Sequence, residues 1–230
     1  YYNNNRTIGY RPMKIFLQRY GIYLSTTTIH KYMNKDLNLS AIVMRKKPGY
    51  KSCKKHKIFD NLLKQKFNVD EKNKIWCTDF TYMRQPNGKF RYNCTIMDLF
   101  DRSAIASVNS DYINTELAIE TLTEALKKEK PNNGILLHSD QGVQYTSWEF
   151  VNFCKDNGVI QSMSKAGCPY DNAPMERFYN TFKNCFYYRY TFESVEQLDE
   201  MTKQYINWYN YVRPHSTNNY MTPMEFRYRA

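Results

Sequence analysis

Residues 74–100, KIWCTDFTYMRQPNGKFRYNCTIMDLF, decide the architecture. The first part, IWCTDFTYM, is rich in aromatic and β-branched residues, which favour a half-buried pleated strand. QPNGK then supplies turn chemistry, with Asn87-Gly88 as the expected turn pair, and FRYNCTIMDLF reads as the returning strand. SAIASVNS (residues 103–110) gives a third strand. Beyond it the period changes. Residues 115–128 place Leu117, Ala118, Leu122, Ala125 and Leu126 on one helical face, and PNNG (131–134) ends that helix. ILLHSD (135–140) reads as a short buried fourth strand, residues 147–157 as a helix, and VIQSMS (159–164) as a fifth strand. Long helices are expected from Asn172 onward and over about 195–211. Three antiparallel strands followed by strand–helix alternation predict an α/β fold, a mixed sheet flanked by helices.

The N-terminal quarter differs in kind. The 230 residues carry a net charge of +11, yet residues 1–57 alone hold 13 Lys and Arg against the single acid Asp36. The remainder is close to neutral. A basic module joined to a neutral body points to a polyanion held by the first and acted on by the second. RPMKIFLQRY (11–20) reads as a helix with Pro12 in its first turn and Gly21 as its stop. Residues 25–28, STTT, offer N-caps for a second helix through Ile29, Tyr32 and Met33 to about Leu37. Two short helices about a glycine turn predict a helix-turn-helix, with an ordinary helical hairpin as the competing reading. RKKPGYKSCKKHK (45–57) is a basic linker whose Arg45, Lys46, Lys47, Lys51, Lys54 and Lys55 suit tracking of phosphates, and residues 58–67 read as a short amphipathic helix. The expected division is a small all-α domain over 1–44, linker and short helix over 45–72, and a larger unit over 73–230.

Composition excludes several classes. Hydrophobic residues at 42% and aromatics at 16% are too many for a wholly disordered chain. No apolar run is long enough for a membrane-spanning helix, and YYNNNRTIGY shows no secretory signal. A start at Tyr1 suggests a fragment or a processed chain. Six scattered cysteines point to a reducing compartment, and the Cys53/His56 pair lacks the second pair that a zinc finger needs.

Three acids stand out by position. Asp79 interrupts an apolar-aromatic strand, where an unpaired carboxylate is costly. Asp140 closes the fourth strand before a sharp Gln141-Gly142 turn, and Glu176 lies near the start of a late helix. Three hard oxygen donors suit Mg²⁺, and two such ions promote in-line phosphoryl transfer. Surface acids and N-caps are the competing reading of spacing alone.

WCTDFTY (76–82), TIMDLFDRSAIA (95–106), LLHSDQGVQYTS (136–147), SMSKAGCPYDNAPMERFYNTFK (162–183) and YINWYNYVRPHSTNNYMTP (205–223) resemble successive blocks of insertion-sequence transposases. These belong to the retroviral-integrase superfamily, with an Asp-Asp-Glu site on an RNase H-like fold. The first 44 residues resemble the helix-turn-helix that precedes the core in these proteins. The resemblance implies that Asp79, Asp140 and Glu176 are the catalytic, metal-binding triad, holding two Mg²⁺ ions (or Mn²⁺ in their place). It implies that Asp171 and Asn172 support the turn into the catalytic helix. Arg177 and Lys183, on the Glu176 helix, either contact DNA phosphates or form a solvated basic face. The implied partners are double-stranded DNA, as element ends and target, and further copies of the chain on that DNA, with no membrane. The implied setting is the bacterial cytoplasm, at the nucleoid. Two departures are Gln141, where the family usually has Arg, and Val212-Arg213, where it has a basic pair.

Other readings compete with this one. His138-Ser139-Asp140 cannot form a hydrolase relay, because consecutive strand residues alternate in direction. The 21 tyrosines lack the Arg/His cluster that a tyrosine recombinase requires. A simple nuclease of the same fold, or a transposase-derived DNA-binding protein without activity, are the remaining alternatives.

Overall fold

The computed structural model describes residues 8–39, 57–132 and 134–229. The expected strand–turn–strand over 74–100 is β1 (Ile75–Arg84) and β2 (Phe90–Asp98), antiparallel, with Trp76 opposite Asp98 and Arg84 opposite Phe90. The turn is longer than a two-residue hairpin. Gly88 N–H donates to the Gln85 carbonyl, Gln85 N–H to that of Lys89, and only Gly88 of the turn pair has positive φ, at 81°. β3 (Ala104–Ser110) continues the antiparallel run. β4 (Ile135–Ser139) and β5 (Val159–Met163) add in parallel, giving the order β3-β2-β1-β4-β5.

The alternation of β1 and β2 divides the core in two. Trp76 and Ile96 face one side, where they meet Leu122 and Ala125 of α3 (Thr115–Glu129) and Phe150 and Cys154 of α5 (Trp148–Asp156). Between β4 and α5 lies the one-turn α4 (Val143–Thr146). Cys77 and Met97 face the other side, against Met175, Phe178 and Phe182 of α6 (Ala173–Cys185) and Leu198, Tyr205 and Tyr209 of α7 (Val195–Tyr211). Polar caps set the helix starts. Asn114, Ser147 and Ser194 each accept a backbone N–H from the first turn of α3, α5 and α7.

α1 (Tyr10–Arg19) and α2 (Thr26–Lys31) are separated by Gly21 at φ 77°, and Ser25 caps α2. Tyr32–Asp36 extends α2 as a π-helical turn. Phe16, Ile29 and Met33 are buried. Arg19 pairs with Glu225 of α8 (Pro223–Arg229) at 3.1 Å, but both groups reach solvent, so the pair contributes at most about 1 kcal/mol.

Residues 58–67 are not the expected amphipathic helix. Lys64 and Gln65 have positive φ, and the chain forms an irregular turn. Long-range bonds replace the helical ones. Leu62 and Leu63 N–H donate to Ser162 Oγ, and Met163 N–H donates to the Asp60 carbonyl. The apolar spacing that suggested a helix instead buries Leu63 in the α6/α7 core and leaves Leu62 exposed.

Beyond α7, the Arg213 guanidinium donates to His215 Nε2 at 3.1 Å. An arginine has no acceptor, so Nε2 carries no proton and the ring is neutral. Burial, then the Arg213 charge, hold its pKa well below the ordinary 6.5. The unfolded chain therefore takes up a proton below pH 6.5 that the folded chain refuses. Stability is expected to fall on acidification by about 1.4 kcal/mol per pH unit from this group. Urea midpoints between neutral pH and pH 5 should show a shallower dependence in His215→Asn than in the parent.

Candidate active site

β1 carries Asp79 midway along its length, opposite Thr95. One carboxylate oxygen accepts the Phe80 N–H at 2.8 Å. The group is densely surrounded yet keeps a window to solvent. Burial first, then the negative charge of Asp140, push its pKa up to about 8; Glu176 adds to the rise and Lys183 opposes it. Asp140 follows β4 directly and is exposed, with Oδ1 accepting the Gly142 N–H at 2.8 Å. A Cβ on Gly142 would lie 2.9 Å from that same oxygen, so a side chain there would push the Asp140 carboxylate from its position. Glu176 stands in the first turn of α6, largely open to solvent, and partial desolvation raises its carboxyl. The three acids, each from a different element, thus share one electrostatic neighbourhood.

The supports around them were only partly visible in the sequence. Tyr179, one turn after Glu176, donates its hydroxyl to the Asp79 carbonyl at 2.9 Å and lies 3.1 Å from Asn93 Oδ1. It locks α6 to β1 beside Asp79. Its position three residues from Glu176, on the same helix face, was the available signal. Asn172 donates from Nδ2 to the Thr78 carbonyl at 3.2 Å, fixing the helix start to the same strand. Asp171 accepts Lys165 N–H at 3.0 Å and Gln65 Nε2 at 2.8 Å, and these bonds hold its carboxyl below the usual range. It ties the loop before α6 to residues 57–73.

Lys183 lies two turns from Glu176, with Nζ 4.4 Å from the centroid of the Tyr82 ring. Arg177 is exposed on the same helix. Arg45, Lys46, Lys47, Lys51, Lys54 and Lys55, with Cys53 and His56, lie outside the described residues. His138 is a buried tie between strands. Its nitrogens meet Ser162 Oγ at 2.9 Å and Ser164 Oγ at 3.1 Å, and burial pushes its pKa down to about 4. Ser139 Oγ donates to the Asp140 carbonyl, so no Ser–His relay exists there.

The sequence matches the integrase core domain family model over residues 69–169 and a second integrase core domain model over 157–223. It is 31% identical over 229 residues to the putative transposase InsK for insertion sequence element IS150 of Escherichia coli, covering 99% of this chain and 80% of that one. The chain belongs to the insertion-sequence transposases. It is also 35% identical over 167 residues to the transposase for insertion sequence element IS904 of Lactococcus lactis, covering 72% of this chain and 66% of that one.

Among solved structures, this transposase resembles a chain of the simian T-cell lymphotropic virus intasome, with TM-score 0.59 and 17% identity over 93% of this chain and 70% of that one. It also resembles the HTLV-2 integrase catalytic core domain in complex with magnesium, with TM-score 0.55 and 17% identity over 68% of this chain and 97% of that one. These likenesses establish the RNase H-like fold that the sequence blocks implied. Family membership makes the protein a polynucleotidyl transferase in DNA transposition. Among the described residues no helix is long and apolar enough to cross a membrane.

Proposed function

We propose that this transposase cleaves the ends of its element and joins them to target DNA in a reaction dependent on a divalent metal, with Asp79, Asp140 and Glu176 as the catalytic carboxylates. The observation that carries this reading is the placement of the three acids on β1, at the end of β4 and in the first turn of α6, within one electrostatic neighbourhood in which both other acids raise the Asp79 carboxyl. Among the described residues no three His, Cys, Asp or Glu side chains are grouped closely enough to hold one ion as they stand. The donor chemistry nevertheless fits: three oxygen-only anionic side chains repel one another and favour a hard dication. Asp79, Asp140 and Glu176 would hold Mg²⁺ or Mn²⁺, two ions per site. Bound there, the ions supply Lewis-acid activation of the attacking oxygen and stabilisation of the leaving one. Tyr179 and Asn172 hold the α6 and β1 carboxylates in mutual register. Asp171 keeps the approach loop shaped, and its replacement by Asn is expected to cost less activity than loss of a triad acid. No side chain attacks the DNA, so no covalent protein–DNA intermediate forms. Strand-transfer assays on end-bearing oligonucleotides test the assignment through the triad substitutions.

The reading assigns residues 1–44 to a helix-turn-helix DNA-binding domain, 45–72 to a basic linker and 73–230 to the catalytic core. It places the protein as an oligomer on DNA, in the bacterial cytoplasm at the nucleoid. Arg45, Lys46, Lys47, Lys51, Lys54 and Lys55 bind phosphates in this reading, with Arg177 and Lys183 adding contacts near the carboxylates. Removing residues 1–57 is expected to weaken duplex binding and flatten its dependence on salt, because each lost phosphate contact takes about 0.9 from the log–log slope. Equal slopes for the full and shortened chains, measured by fluorescence anisotropy, would contradict this division of labour.

A further inference from the structure

The end of the β1–β2 hairpin carries a surface that the carboxylate chemistry does not use. Tyr82 and Phe90 are 58% and 39% exposed, and their rings meet edge to face at 5.5 Å. Tyr92 extends the row, its centroid 6.3 Å from that of Phe90. Two cations cover these rings. Lys183 Nζ lies 4.4 Å from the Tyr82 centroid, and Arg84 Cζ lies 5.0 Å from that of Phe90. Half-exposed rings, each with a cation over one face, match a nucleic acid strand, with bases for the rings and phosphates for the cations.

The position of this surface narrows the ligand. β4 pairs with β1 only from Ile75 to Cys77, so among the described residues that edge of β1 has no strand partner beyond Cys77, and α6 packs against β1. By strand alternation Asp79 and Tyr82 face opposite sides of β1, about 10 Å apart along the strand. Lys183 spans the edge between them, its charge acting on Asp79 while its ammonium sits over Tyr82. A path from the carboxylates to the rings must turn around a single β-strand edge. A stiff duplex cannot follow that turn, whereas an unpaired strand can.

We propose that Tyr82 and Phe90, with Lys183 and Arg84, form a stacking platform for unpaired nucleotides of a DNA end whose adjoining phosphate lies at Asp79, Asp140 and Glu176. This rests on the DNA-processing reading of those carboxylates. Binding by the full chain, in EDTA so that no turnover occurs, tests it. The probes are a blunt duplex and the same duplex with a short 3′ overhang containing 2-aminopurine. The parent is expected to bind the overhang probe about tenfold more tightly and to quench the 2-aminopurine by stacking. Tyr82→Ala/Phe90→Ala should lose both effects while blunt-duplex affinity is unchanged, and Tyr82→Phe should keep both. Lys183→Gln and Tyr82→Leu decide the matter should the double variant lose its native circular dichroism; each is expected to reduce the preference about threefold or more.

Absence of overhang preference in the parent, or its retention in these variants, overturns the platform. So does retained preference together with a dimer-to-monomer change in sedimentation, which would mark the surface as a self-interface. The readout needs neither metal nor cleavage. A failed platform with triad-dependent strand transfer intact is therefore distinguishable from a failed assignment of the triad.

Discussion

Asp79→Asn, Asp140→Asn and Glu176→Gln are each expected to abolish strand transfer, lowering the rate by at least about 10³-fold, or about 4 kcal/mol of barrier. Each change keeps the side chain's shape and removes the charge that would hold a dication. The three acids act on one another, since Asp140 and Glu176 both raise the Asp79 carboxyl. Losses in double variants should therefore fall far short of additive. Duplex affinity should persist, because the net positive charge lies in residues 1–57. Asp79→Asn also removes the free-energy cost of holding in the fold a carboxyl raised far above its ordinary range, so its thermal stability near neutral pH should match or exceed that of the parent in metal-free buffer. The measurement is product formation on end-bearing oligonucleotides with Mg²⁺, alongside anisotropy for binding. Near-normal strand transfer by any of the three would show that the site has been placed wrongly.

Arg227→Met is expected to cost about 3–5 kcal/mol of folding stability. Arg227 is buried on α8 and pairs with Asp98 at the end of β2, Asp101 in the following turn and Glu129 at the end of α3, while Nη2 also donates to Asn73 Oδ1. Asp98 and Asp101 are themselves fully buried. Burial, then Asp101, push the Asp98 carboxyl above its ordinary range even with the arginine present. Removing the guanidinium leaves these acids uncompensated in a medium that solvates them poorly. For a chain of this size the melting temperature should fall by roughly 10 °C. Arg227→Lys should rescue only part of the loss, since an ammonium cannot reproduce the forked donor geometry. Adding Asp98→Asn and Asp101→Asn to Arg227→Met should recover much of the stability, because the two fully buried charges are then gone and only Glu129 has lost its partner. A melting temperature within a degree or two of the parent for Arg227→Met would show that the cluster does not anchor α8.

The sequence alone determined the elements whose cause is local. The aromatic and β-branched composition of IWCTDFTYM and FRYNCTIMDLF, the Asn-Gly turn between them and the helical stripe from Leu117 to Ala125 each needed only neighbours along the chain. The serine and asparagine caps are local in the same sense. The placement of Asp79, Asp140 and Glu176 on a strand, a strand end and a helix start was legible because ordered blocks of residues surround each acid.

Only tertiary structure decided the rest. Residues 58–67 have the composition of a helix, yet Ser162, a hundred residues away, accepts the backbone N–H groups of Leu62 and Leu63 that a helix would use. Tyr179 looks like one more aromatic in a Tyr-rich helix until β1 places a carbonyl and Asn93 against its hydroxyl. Arg227 and its three acids are spread from position 98 to 227, and no spacing rule joins them. Hydrogen bonds and ion pairs between distant segments depend on where the sheet and helices bring their partners. That is a property of the packed molecule, which a local pattern cannot carry.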